Sequence, residues 1–168
     1  MKLIDMEQPT TTSQNATLHD VGTFVNSFSH SLDSKKRLTI PAEWRNAAEV
    51  SVFYVKKSSI GRYLLVFPIR EMQKRVTKTE ELIANLPPAE QNEIRRKVYA
   101  QSCRVELDTQ GRIRITDKLL EEAGIKENVE LQAAGRFFEI WSTEVWNERT
   151  ETPIQATSTT NISAAFDC

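Results

Sequence analysis

Ser31 to Pro41 reads SLDSKKRLTIP, and Val105 to Thr116 reads VELDTQGRIRIT. Both contain the frame Leu-Asp-x-x-x-Arg-(Leu/Ile)-x-Ile, with Asp33 and Asp108 lying 75 positions apart. In each, a short carboxylate can accept N–H groups of the turn it opens. The alternating residues after the arginine read as a strand. The first copy also packs Lys35, Lys36 and Arg37 in succession, which reads either as a solvated hairpin tip or as a surface facing an anion.

Outward from the first copy, FVNSFSHSL places Phe24, Phe28, His30 and Leu32 on alternate positions, the pattern of a strand with one buried face. DSKK makes the turn, Arg37 to Ile40 returns as a strand, and Pro41 suits the start of a short helix, AEWRNAA. VSVFYVK and RYLLVFP follow as strands joined by a Gly-containing loop. The second copy repeats this ββαββ order with RVEL, RIRI, the helix DKLLEEA, VELQAA and RFFEIWS. Thr116 is placed to cap that helix and Gly124 to stop it. RYLLVFPIREMQKR also aligns with RFFEIWSTEVWNER, so Phe67 meets Trp141 and Arg75 meets Arg149. Agreement at both ends of the unit points to an internal duplication.

Between the units, Ile69, Met72, Val76, Ile83 and Leu86 fall near helical spacing, and Pro87-Pro88 interrupts them. AEQNEIRRKVYA then forms a second helix, acidic at its start and basic at its end, as the helix dipole prefers. Arg95, Arg96 and Lys97 read chiefly as a solvated helix end. The expected divisions are a disordered extension over 1–23, a first half over 24–70, a helical linker over 71–99, a second half over 100–150 and a disordered tail over 151–168.

The chain has 168 residues and a net charge of −1, so an anion-binding surface has to be local. No apolar run approaches the roughly 18 residues of a membrane span, and no secretory signal is legible at the N-terminus. Cytoplasm is the expected location. Cys103 and Cys168 do not form a disulfide framework.

These residues resemble the MraZ family. The resemblance rests on FVNSFSHSLDSKKRLTIPAEWR (Phe24 to Arg45), the Pro-containing linker, ELDTQGRIRIT (Glu106 to Thr116) and RFFEIWSTEVW (Arg136 to Trp146). It implies an α+β, mainly β fold: an AbrB-like swapped-hairpin double-split β-barrel of two tandem ββαββ halves with a helical hairpin between them. It further implies a DNA-binding transcriptional regulator that forms rings, associates with the nucleoid and acts at the promoter of a division and cell-wall gene cluster. The partners expected are double-stranded promoter DNA and further copies of the chain, with no membrane, small-molecule substrate, cofactor, metal or catalysis. Two positions depart from the family. Lys36 stands where the family usually has the glycine that the second copy keeps as Gly111, and Phe24-Val25-Asn26 replaces a Phe-x-Gly.

The residues expected to contact DNA are Lys35, Lys36, Arg37, Arg45, Arg112 and Arg114, with Asp33, Asp108 and Gly111 shaping the turns. Arginine can fork onto phosphate or a guanine edge, whereas lysine acts as a point charge. Asp33 and Arg37 can equally pair across the turn with no ligand involved. A left-handed Lys36 costs about 1 kcal/mol, which extra charge at the tip would offset. Trp44, Trp146 and Phe138 are candidates for subunit contacts or for core packing. A nucleophilic set of His30, Asp33 and Cys103 is the enzyme alternative, and an AbrB- or MazE-like antitoxin or a ring scaffold without DNA binding are the others.

Overall fold

The computed structural model describes residues 23–149. The expected N-terminal extension, except for Thr23, lies outside the described residues, as do Thr150 and the expected C-terminal tail. The first unit consists of β1 (Ser27–Ser31), β2 (Arg37–Thr39), α1 (Ala42–Ala48), β3 (Val52–Lys57) and β4 (Tyr63–Pro68). Helices α2 (Ile69–Ile83) and α3 (Pro88–Tyr99) follow. The second unit is β5 (Ser102–Glu106), β6 (Arg112–Arg114), α4 (Asp117–Ala123), β7 (Asn128–Ala133) and β8 (Phe138–Ser142), and α5 (Thr143–Arg149) closes the described chain. The Thr116 hydroxyl accepts from Leu119 N–H at the start of α4, and Gly124 ends it at φ 68°. Helix α5 is an element the sequence reading did not separate from the strand before it.

The fold is α+β and mainly β. Six antiparallel strands form one sheet in the order β1-β7-β8-β4-β3-β5, and β2 with β6 forms a separate two-stranded ribbon. The hairpins β3–β4 and β7–β8 meet at the centre through β4 and β8. The first strand of each unit leaves its own unit: β1 pairs with β7, and β5 with β3. Neither unit therefore completes a sheet by itself.

One core runs through both units. Trp44 from α1 is fully buried and meets Phe24, Phe28 and Phe138 at ring-centroid distances of 5.6, 5.2 and 4.8 Å. Its indole N–H donates to Val25 C=O at 2.7 Å, so the ring brings no unsatisfied donor into the core. Strand β4 is apolar along its whole length because it is covered on both faces. Leu64 and Val66 enter the main core, whereas Tyr63, Leu65 and Phe67 join Trp141 in a second cluster against Val145 and Trp146 of α5. Arg75 lies over Phe67, 4.1 Å from the ring centroid, and its repeat counterpart Arg149 lies over Trp141 at 5.0 Å. The duplication thus extends to cation–π pairs.

Core packing accounts for two of the three aromatic residues considered for subunit contacts. Trp44 and Phe138 are wholly inside, so neither is available for subunit contacts, while Trp146 is half-buried. The apolar spacing expected between the units does form a helix, α2, on which Ile83 is buried, Ile69 and Met72 are half-buried and Val76 is 37% exposed. The helical hairpin is fastened by polar contacts. Arg95 donates to both Glu80 oxygens, with Nη2 to Oε2 at 2.7 Å, and Gln91 Nε2 donates to Leu86 C=O at 2.9 Å. Arg96 pairs with Glu93 of its own helix, which agrees with a solvated helix end.

Candidate nucleic-acid interface

The two aspartate turns are built alike. Asp33 Oδ1 accepts from the N–H groups of Lys35 and Arg37, both at 2.9 Å, and Oδ2 accepts from Arg37 Nε at 2.7 Å. Asp108 accepts the matching set: Gln110 N–H and Arg112 N–H at 2.9 Å and Arg112 Nε at 2.8 Å. The backbone N–H of Arg37 is the main influence holding the Asp33 carboxyl below its ordinary value of 3.8. Arg112 N–H acts in the same way on Asp108. In both turns the carboxylate orders the loop and fixes the guanidinium through Nε, leaving the terminal nitrogens as the remaining donors.

Strands β2 and β6 bring the turns into one surface. Arg37 is paired with Arg114, Leu38 with Ile113 and Thr39 with Arg112. Leu38 and Ile113 are buried, so strand alternation puts Arg37, Thr39, Arg112 and Arg114 on the opposite, outward face. Ile115 N–H donates to Lys36 C=O at 3.1 Å, and Ile40 N–H to Gly111 C=O at 3.0 Å, which locks a turn to each end of the ribbon. Arg112 Nη1 lies 3.8 Å from Asp33 Oδ2, a further link between the copies. Thr39 is the outward residue that the sequence reading omitted, although its spacing of two from Arg37 was the available signal.

Lys35 is exposed at the first turn and Lys36 is half-buried beside it. Lys36 has φ 60°, the conformation that Gly111 adopts at 74° in the second turn. Arg45 is on α1, where its Nε donates to Ile40 C=O at 3.1 Å and its side chain lies over Gly111 of the second turn. A Cβ at Gly111 would come within 2.6 Å of Arg45 Nη1, so glycine there provides room as well as backbone freedom. The antiparallel ribbon accounts for this position, because Ile40, which precedes α1, sits beside Gly111. Each end of the ribbon therefore has its own cations, Lys35 and Lys36 at one and Arg45 at the other.

The residues of the enzyme alternative are not assembled. His30 is on β1, Cys103 on β5 at the other edge of the six-stranded sheet, and Asp33 is engaged by Arg37 in the first turn. Among the described residues, no group of three or more His, Cys, Asp or Glu is placed to hold a metal ion, and no helix is long and apolar enough to cross a membrane.

A family sequence model described as "MraZ protein, putative antitoxin-like" matches residues 98–168. The chain is 36% identical over 127 residues to a protein of Oenococcus oeni named Transcriptional regulator MraZ, covering 76% of this chain and 86% of that protein. Proteins of the same name from Leuconostoc citreum and Thermomicrobium roseum are 34% and 33% identical, again over 76% of this chain, and are covered to 86% and 87%. Similarity at this level over most of this chain and of each relative establishes that the chain belongs to the MraZ family.

Proposed function

We propose that the protein is a sequence-specific DNA-binding transcriptional regulator whose reading surface is the outward face of the β2–β6 ribbon. The observation that carries this reading is the gathering of Arg37, Arg112 and Arg114 on one solvent face, two of them held by an aspartate. With Lys35, Lys36 and Arg45 the surface has six cations against Asp33 and Asp108, in a chain of net charge −1. The terminal nitrogens of an arginine held in this way can fork onto phosphate or guanine, and a two-stranded ribbon fits a major groove about 12 Å wide. The lysines supply phosphate contacts at the end of the ribbon. The name shared by the relatives supports the same reading.

So few cations give weak binding by one copy, with a salt slope near 0.9 per phosphate neutralised. Assembly into a ring presents the ribbon repeatedly to successive DNA sites and raises avidity by about 10²- to 10⁴-fold. Strands β1 and β5, which lie at the sheet edges with one neighbour each, support self-association. The strand exchange between units supports assignment of the fold as a swapped-hairpin double-split β-barrel. Action at a division and cell-wall gene cluster, on the nucleoid, completes the proposal.

The test is a fluorescence-anisotropy titration of the full chain against duplex DNA from upstream of its own gene. Wild type binds at low salt, and Arg37→Ala and Arg114→Ala each remove binding without altering oligomer mass. Unchanged binding in both variants would overturn the ribbon assignment. A wild type that binds no DNA even at low salt would leave the ring-scaffold reading.

A further inference from the structure

Just beyond the Arg114 end of β6, a cleft of about 650 Å³ opens between β3 and the loop after it, the end of α3, β5 and the start of α4. Among the described residues, Lys56, Lys57, Lys97 and Lys118 line it, against Glu122 as the one acidic lining residue. Lys56 is 7% exposed, a burial that lysine rarely reaches unless paired. Lys57 Nζ donates to the carbonyls of Ser58 at 2.9 Å and Gly61 at 3.3 Å, which fixes its ammonium at the cleft. The volume is that of a small-molecule site, and no aromatic ring of the described residues lines it.

The duplication provides an internal control. At the positions of β7 and α1 matching Lys56, Lys57 and Lys118 stand Gln132, Ala133 and Glu43. The scaffold folds there without those cations, so their convergence on one concavity is a property of this cleft rather than of the fold. Lysine ammoniums are point charges suited to phosphoryl oxygens, and without aromatic rings there is no platform for stacking a base. We propose that the cleft binds a small molecule carrying several phosphoryl groups and recognises those groups rather than any nucleoside attached to them. This site is independent of the DNA reading of the ribbon and takes a ligand of its own.

The test is calorimetric titration of the full chain at low ionic strength with inorganic tripolyphosphate, and in a second arm with ATP. Wild type binds both saturably with similar affinity. Lys97 and Lys118 are exposed, so K97A/K118A folds, and losing two ammoniums weakens tripolyphosphate binding by about tenfold. R114A on the ribbon leaves that affinity unchanged. Cys103 also lines the cleft, so in a C168S background tripolyphosphate slows its alkylation. The proposal is overturned by absence of saturable binding, by equal affinity in K97A/K118A, by weakening in R114A instead, or by an unchanged alkylation rate. Binding of ATP alone would overturn phosphoryl recognition. Loss of duplex DNA affinity in K97A/K118A without loss of tripolyphosphate binding would reassign the cleft to the DNA path.

Discussion

The first unit places Lys36 and Glu49 in left-handed backbone conformations at φ 60° and 50°, where the second unit has Gly111 and Gly124. Asn26, at the position of the family's Phe-x-Gly glycine, is also left-handed at φ 68°. For a residue with a side chain this costs roughly 1 kcal/mol or more. The glycines have a second reason to stay: a Cβ at Gly111 would meet Arg45, and one at Gly124 would meet Arg62. Both arginines belong to the first unit. The second unit is thus the relaxed copy, shaped to receive the first unit's side chains, and the first is the strained copy that carries the extra charge. Duplication fixed the turn geometry in both and left backbone strain and charge free to diverge.

The comparison can be broken most severely at Trp44, which stands where the second unit has Leu119. Trp44→Ala removes about 3–5 kcal/mol, read from denaturant unfolding, and the shared core requires one cooperative transition; two separate transitions would show that the units fold independently. Gly111→Ala is the next largest change, because left-handed alanine costs roughly 1–2 kcal/mol and the Arg45 side chain must also move. A loss no larger than that from Gly135→Ala, where nothing lies within 4 Å of the added Cβ, would remove the packing role of Gly111.

Lys36→Gly works in the opposite direction, raising stability by about 0.5–1 kcal/mol while lowering the salt slope of DNA binding by about 0.9. A slope that does not change would leave Lys36 as strain without a compensating contact. The smallest effect is at acid pH. Asp33 and Asp108 are held below 3.8 in the fold, so the unfolded chain takes up their protons first as pH falls. Their contribution is complete above about pH 5 and is lost as pH drops through and below the ordinary carboxylate value. In D33N/D108N the acid limb of the stability curve becomes shallower, and an identical limb would remove these carboxyls from the account.

Local chemistry made the repeated unit readable. The aspartate turns, the Thr116 cap, the Gly124 stop and the Pro87-Pro88 break each depend on residues within a few positions of one another. Helix α5 was missed because TEVWNER follows β8 with no breaker to mark the change. What a single unit could not disclose was its partner: nothing in SFSHS specifies NVELQA rather than its own hairpin. The contact of Arg45 with Gly111 was illegible for the same reason, since it follows from the pairing of β2 with β6. Val76 met the helical spacing, yet spacing carries no information about what covers a face.

The exchange of first strands also affects the order in which the protein can be made. Ser31 pairs with Asn128, 97 residues later, which at 5–20 residues per second is a wait of roughly 5–20 s during synthesis. The N-terminal unit cannot finish its sheet until β7 has left the ribosome, so a nascent chain stalled before that point exposes unpaired strand edges and much of its future core. Contacts of such sequence separation also make for slow folding, and the described part of the chain has to mature as one late event, after β7 has emerged.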